Sequence, residues 1–224
     1  MKAKKSINPK RLSKMIRLMS TIAVVLLAVG CTKQIKETTR ASKQEEAEFV
    51  NAFLKEEYKE TLNKNKYLLI NPELSIETYF SFFDNDKEKN KECEKLIKDA
   101  YRIDPKIAEA FKDFLNANKF NDSLSRITPI TVKYKVLTKE MILENTGDSV
   151  LATRETCQRF WDKTNTDGLI TLSHPGFSTD KTVAVIYAEH YWDPLAGSGG
   201  MQVYRKNNGV WEKTDISFGP KWVS

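Results

Sequence analysis

Histidine is almost absent from this 224-residue chain, occurring only as His174 and His190. Any Ser–His or Cys–His mechanism must therefore use one of two positions. Cysteine is nearly as scarce, with Cys31, Cys93 and Cys157 alone. None has a second Cys or a His at metal-ligand spacing, so the sequence implies no metal and no cofactor. No Gly-x-Ser-x-Gly elbow occurs, and no internal repeat or low-complexity segment. Acids are missing before Glu37, whereas Lys2, Lys4, Lys5, Lys10, Arg11, Lys14 and Arg17 crowd the front. The apolar run behind them, Leu18 to Gly30, has 13 residues. A membrane-spanning helix needs roughly 20. A basic arm, a short apolar core and small residues follow the order of a secretory signal.

The end of that run is more specific. Leu27-Ala28-Val29-Gly30-Cys31 resembles the lipobox of bacterial lipoproteins, with Ala28 where leucine is most usual. The resemblance implies a diacylglycerol on the Cys31 thiol, cleavage before Cys31, and acylation of the new amino group. Acyl chains anchor at about 0.8 kcal/mol per buried methylene. The expectation is a signal peptide at residues 1–30, a lipidated Cys31 with a polar tether through residue 41, and one domain at 42–224. The protein is then expected in the bacterial cell envelope, held to a membrane by lipid and facing the periplasm or the outer membrane.

Removing the leader changes the charge. The formal +6 becomes −1, with 29 basic against 30 acidic residues after residue 30. No nucleic-acid partner is implied.

The remaining pattern predicts an α+β fold, with helices at 42–120 packed on a mostly antiparallel sheet of four to five strands at 128–224. Ser42 and Glu45 form a capping box. Phe49, Val50, Phe53, Leu54, Tyr58 and Leu62 follow at helical spacing. Leu74–Phe83 and Lys87–Tyr101 are further helical segments, and Asp104-Pro105 opens another, with Ile107, Phe111, Phe114 and Leu115 inward. Cys93 falls on a stripe with Leu96, Ile97, Ala100 and Tyr101, and Cys157 on one with Phe160 and Trp161, so both read as buried free thiols. Val132, Tyr134 and Val136 alternate with polar residues and predict a half-buried strand. A short helix is expected over Thr153–Lys163. Strands are expected at Leu169–Ser173, Thr182–Trp192, Met201–Lys206 and Val210–Ser217. The second is apolar on both faces and so central. Asn208-Gly209 is a hairpin turn.

Gly168–Ser173, Pro175–Phe177, Thr182–Tyr187, Pro194–Gly199, Asn208–Trp211 and Trp222–Ser224 together resemble a group of uncharacterised bacterial lipoproteins. The resemblance covers residues 158–224, about a third of the chain. It implies a glycine-rich inter-strand loop and a hairpin with Gly and Trp, but no activity. Relatives often carry two cysteines in that loop. Trp192 and Ala196 occupy those places here, which implies a lost staple.

The segment His190–Gly200 combines aromatic rings, a titratable His, an acid and three glycines, and reads as a loop suited to a site. His190, Trp192, Asp193, Tyr204 and His174 are the candidate ligand-binding residues. Glycines in a connection and aromatics capping a sheet edge explain the same segment without a ligand. A lipid-anchored binding or interaction module is the primary functional expectation, with a carbohydrate, peptide or protein as ligand. The alternatives are an envelope hydrolase using Glu189, His190 or Asp193, and a structural or immunity-type lipoprotein. No catalytic residue is assigned.

Overall fold

The computed structural model describes residues 41–72, 86–118, 130–147 and 151–223. The leader, Cys31, nearly all of the tether and the Leu74–Phe83 segment lie outside them. The chain enters helix α1 (Lys43–Glu57) through the expected capping box. Ser42 Oγ accepts from the Glu45 amide at 3.2 Å, and Glu45 accepts from the Ser42 amide at 2.7 Å. The stripe does not run on as one helix. It breaks at Tyr58, and a short α2 (Lys59–Asn63) follows.

Next come β1 (Tyr67–Ile70), α3 (Asp86–Ile103), α4 (Pro105–Ala117), β2 (Tyr134–Val136), α5 (Lys139–Thr146), α6 (Arg154–Thr164) and β3 (Thr166–Leu172). Then follow β4 (Gly176–Phe177), β5 (Val183–Asp193), β6 (Ala196–Asn207) and β7 (Val210–Val223). The fold is α+β. Its sheet runs β2-β1-β3-β5-β6-β7, with β4 paired to β5. The described residues hold seven strands rather than four or five, because β1 and β4 were not foreseen. Pairing is antiparallel except at one margin, where β1 lies parallel to both β2 and β3.

Both sheet faces are covered. On one, α1 packs Phe49, Val50, Phe53 and Leu54 over Ile70, Leu172, Ala184, Ile186 and Tyr204. Phe49 meets the rings of Phe177, Tyr204 and Trp211 at 5.6, 5.4 and 5.0 Å, all edge to face. On the other, α3 and α4 cover Val183, Val185, Tyr187 and Val203, while α6 sets Phe160 and Trp161 against Leu69. Strand β5 is therefore central, as its two apolar faces predict.

Three other expectations are corrected. Tyr134 and Val136 are 37 % and 41 % exposed, so β2 turns its apolar side chains outward. Lys135, and Lys133 just before the strand, turn to neighbours instead. The Lys133 and Lys135 ammoniums lie 4.0 and 4.4 Å from the centre of the Tyr67 ring. Tyr101, assigned to the inner stripe of α3, is exposed. Cys93 is half-buried, while Cys157 is buried; both are free thiols. Among the described residues, no helix is long and apolar enough to cross a membrane.

Candidate functional site

The segment 190–200 is not a loop. Strands β5 and β6 pair almost to the tip, with Asp193 opposite Ala196 across the two-residue turn Pro194-Leu195. The glycines are strand residues. Gly200 pairs with Ala188, Gly199 with Glu189 and Gly197 with Tyr191. Gly200 shares the side of Ala188 and removes a side chain from it, while Gly197 and Gly199 fall on the opposite side.

That removal builds a trough. Ala188 and Gly200 form a flat floor. His190 and Ser198 stand on one side and Gln202 on the other, with Glu57 and Tyr58 overhead at the end of α1. The outer wall is Lys213 to Ser217, where β7 bulges away from β6 between Gln202 and Tyr204. The cavity is about 690 Å³. A polar network organises it. Tyr204 donates to Glu57 Oε1 at 2.7 Å, and Lys213 Nζ lies 2.8 Å from Glu57 Oε2. Burial and the Glu57 carboxylate both push the Tyr204 hydroxyl well above its ordinary pKa.

A second cavity, also about 690 Å³, lies beside the hairpin tip. A bulge between Tyr191 and Asp193 turns Trp192 out, 43 % exposed. Trp161 Nε1 donates to the Trp192 carbonyl at 3.1 Å and so fixes the bulge to α6. Arg154, first residue of α6, pairs with Asp193 at 3.1 Å while remaining 91 % exposed. Lys66 pairs with Asp167 across the same cavity. Gln158 completes the polar wall.

The two cavities meet through rings. The His190 ring lies 5.4 Å from that of Tyr58 and 5.6 Å from that of Trp192, edge to face with both. Gly168 makes room for it. A Cβ there would fall 2.7 Å from His190 Nε2 and 2.4 Å from the Tyr191 carbonyl oxygen, and its φ of +139° already suits glycine. Burial lowers the His190 pKa, against a weaker opposing pull from the backbone and charge of Asp167.

The structure thus brings together His190, Trp192, Asp193 and, through Glu57, Tyr204. It sets His174 apart. His174 is buried under α1, with Nδ1 3.7 Å from Glu46 Oε2 and its backbone held by Asn118. Glu189 is also separated. It is buried and accepts from the Tyr187 and Tyr191 hydroxyls at 2.9 and 3.3 Å. Burial next to Glu189 pushes Tyr191 up to about 12. Alternate strand residues face opposite sides of a sheet, so Glu189 and His190 cannot converge. Glu189 and Asp193 stand roughly 13 Å apart along the strand, and the bulge at Trp192 breaks the alternation between them. Paired glycosidase carboxylates need about 5–9.5 Å. The hydrolase built on these residues is not supported.

Glu57, Gln202, Lys213 and Arg154 were not foreseen. Tyr58 and Trp161 were seen only as parts of core stripes. Nothing local marks them, since each matters through a partner distant in sequence. Among the described residues, no group of His, Cys, Asp and Glu is placed to hold a metal ion. No family model, no curated protein and no solved structure matches the chain.

Proposed function

We propose that this protein is a lipid-anchored binding module of the bacterial cell envelope, and that its ligand is a carbohydrate held at the end of the β5–β6 hairpin. The carrying observation is the Trp192 bulge, which holds an exposed indole at the rim of a cavity walled by Arg154, Asp193 and Gln158. An aromatic surface beside planar donors and acceptors suits a neutral, polyhydroxylated ring. Both cations there are already paired, as Arg154–Asp193 and Lys66–Asp167, and Asp162 accepts from Gln158 Nε2 at 3.0 Å, which favours a neutral ligand over an anion.

Strand addition by a peptide is less well supported. Both sheet margins are blunted, β2 by its three-residue length and β7 by two bulges with Gly219 at φ +70° followed by Pro220. The lipobox supports the anchor. Ser42, next to the tether, and Tyr58, at the trough, are opposite ends of α1, roughly 24 Å apart at 1.5 Å per residue.

Two measurements test this. Titration of the full-length protein with neutral oligosaccharides should shift tryptophan fluorescence in the wild type and not in Trp192→Ala. An unchanged wild-type spectrum with every sugar counts against the ligand class. Metabolic labelling with a fatty acid should mark the wild type and not Cys31→Ala. Label retained by that variant removes the anchor.

A further inference from the structure

Two cavities of equal size lie on either side of one hairpin, and a ring bridges them. From this we infer that the ligand is a linear glycan longer than a disaccharide, lying across the hairpin with one part in the Ala188–Gly200 trough and another against Trp192. The inference rests on the carbohydrate reading above and deepens it.

Tyr58, His190 and Trp192 touch in turn, edge to face, with ring centres 5.4 and 5.6 Å apart, and so join the two cavities by an unbroken aromatic contact. His190 lines the trough and touches Trp192, which lines the tip cavity, so the contact surface is continuous. The trough floor is the Gly200 backbone and the Ala188 methyl, a surface a flat ring can lie on without displacing a long side chain. Its walls supply hydrogen-bonding groups at both ends: Gln202 and Ser198 from β6, Lys213 and Ser217 from β7. The tip cavity repeats the arrangement with Gln158, Asp193 and Arg154. A monosaccharide would use one set and leave the other solvated. A chain that uses both gains the second set as an intramolecular event, so its affinity rises with length.

The test is a length series of β-1,4-linked N-acetylglucosamine, from monosaccharide to hexasaccharide, titrated calorimetrically into the purified full-length protein. Affinity should rise by about tenfold or more between the disaccharide and the longer oligomers. Gly200→Val, which fills the trough, should flatten that rise while short oligomers still bind. Gln202→Ala should weaken only the longer oligomers and provides a second variant if Gly200→Val fails to fold. Trp192→Ala should weaken every length. Binding of equal strength at all lengths, or a length dependence untouched by both trough variants, overturns the two-cavity inference and leaves the carbohydrate reading standing. Absence of binding at every length, with the wild type folded by circular dichroism and its tryptophan fluorescence unchanged by every other neutral oligosaccharide, overturns both.

Discussion

Ala188 and Gly200 stand opposite each other on the β5–β6 ladder, and together they make the floor of the polar trough beneath Glu57 and Tyr58. Two small residues paired in a central ladder leave open space where larger ones would interdigitate. If the space is open, Gly200→Val fills it at a cost below about 1 kcal/mol. A site already filled by protein would lose about 1–3 kcal/mol through overpacking. Urea denaturation of the variant distinguishes the two, and a loss in the upper range contradicts the trough.

Gly176 carries the opposite logic. A Cβ there would lie 2.0 Å from the Phe114 amide nitrogen and 2.3 Å from the Ala110 carbonyl oxygen. The backbone of α4 sits directly on β4, and only glycine permits it. Gly176→Ala should cost at least the roughly 1–3 kcal/mol of an overpacked core, because the obstacle is backbone. A melting temperature equal to that of the wild type would show that α4 lies elsewhere.

His190 makes stability depend on pH. Its folded pKa is lowered by burial below the ordinary 6.5. The unfolded chain then binds the proton more readily, so this contribution is complete above about pH 6.5 and is lost as pH falls through the folded value. Between about pH 7.5 and pH 5, the wild type should lose more stability than His190→Gln. Parallel losses in the two proteins would mean that His190 is not buried as described.

Tyr204 tests the network from the alkaline side. Its pKa is raised, first by burial and then by its hydrogen bond to Glu57. A raised folded value means stability is complete below about pH 10 and is lost as pH climbs toward the folded pKa. Phenolate absorbance should therefore place Tyr204 among the tyrosines that ionise late, with Tyr58 and Tyr191. Tyr204→Phe should lower the number of late-ionising tyrosines by one and cost about 1.5–3 kcal/mol, as the acceptor is charged. An unchanged number in that variant would contradict the Glu57 contact.

Much of the frame was legible because it is local. The Ser42–Glu45 capping box and the Asp104-Pro105 start formed as read, since a cap needs only residues within one turn. Thr153 likewise caps α6, its hydroxyl accepting from the Thr156 amide at 3.1 Å. Asn208 and Gly209 take positive φ and close the β6–β7 hairpin. The candidate site was legible only in part. His190, Trp192 and Asp193 were picked out by residue type, yet their segment was read as a loop because glycine usually signals one. In the sheet, glycine instead answers to what lies above it.

The sequence alone determined the helical stripes, their caps, the doubly apolar central strand and the α+β order, because periodicity and capping are properties of adjacent residues. The tertiary structure decided the rest. It recruited Tyr67–Ile70 into the sheet beside β3, turned Tyr134 and Val136 outward and buried His174 beside Glu46. It also set Glu57 and Tyr58 over the Ala188–Gly200 floor. Each of these depends on which distant segment arrives to cover a surface, and no local pattern encodes that.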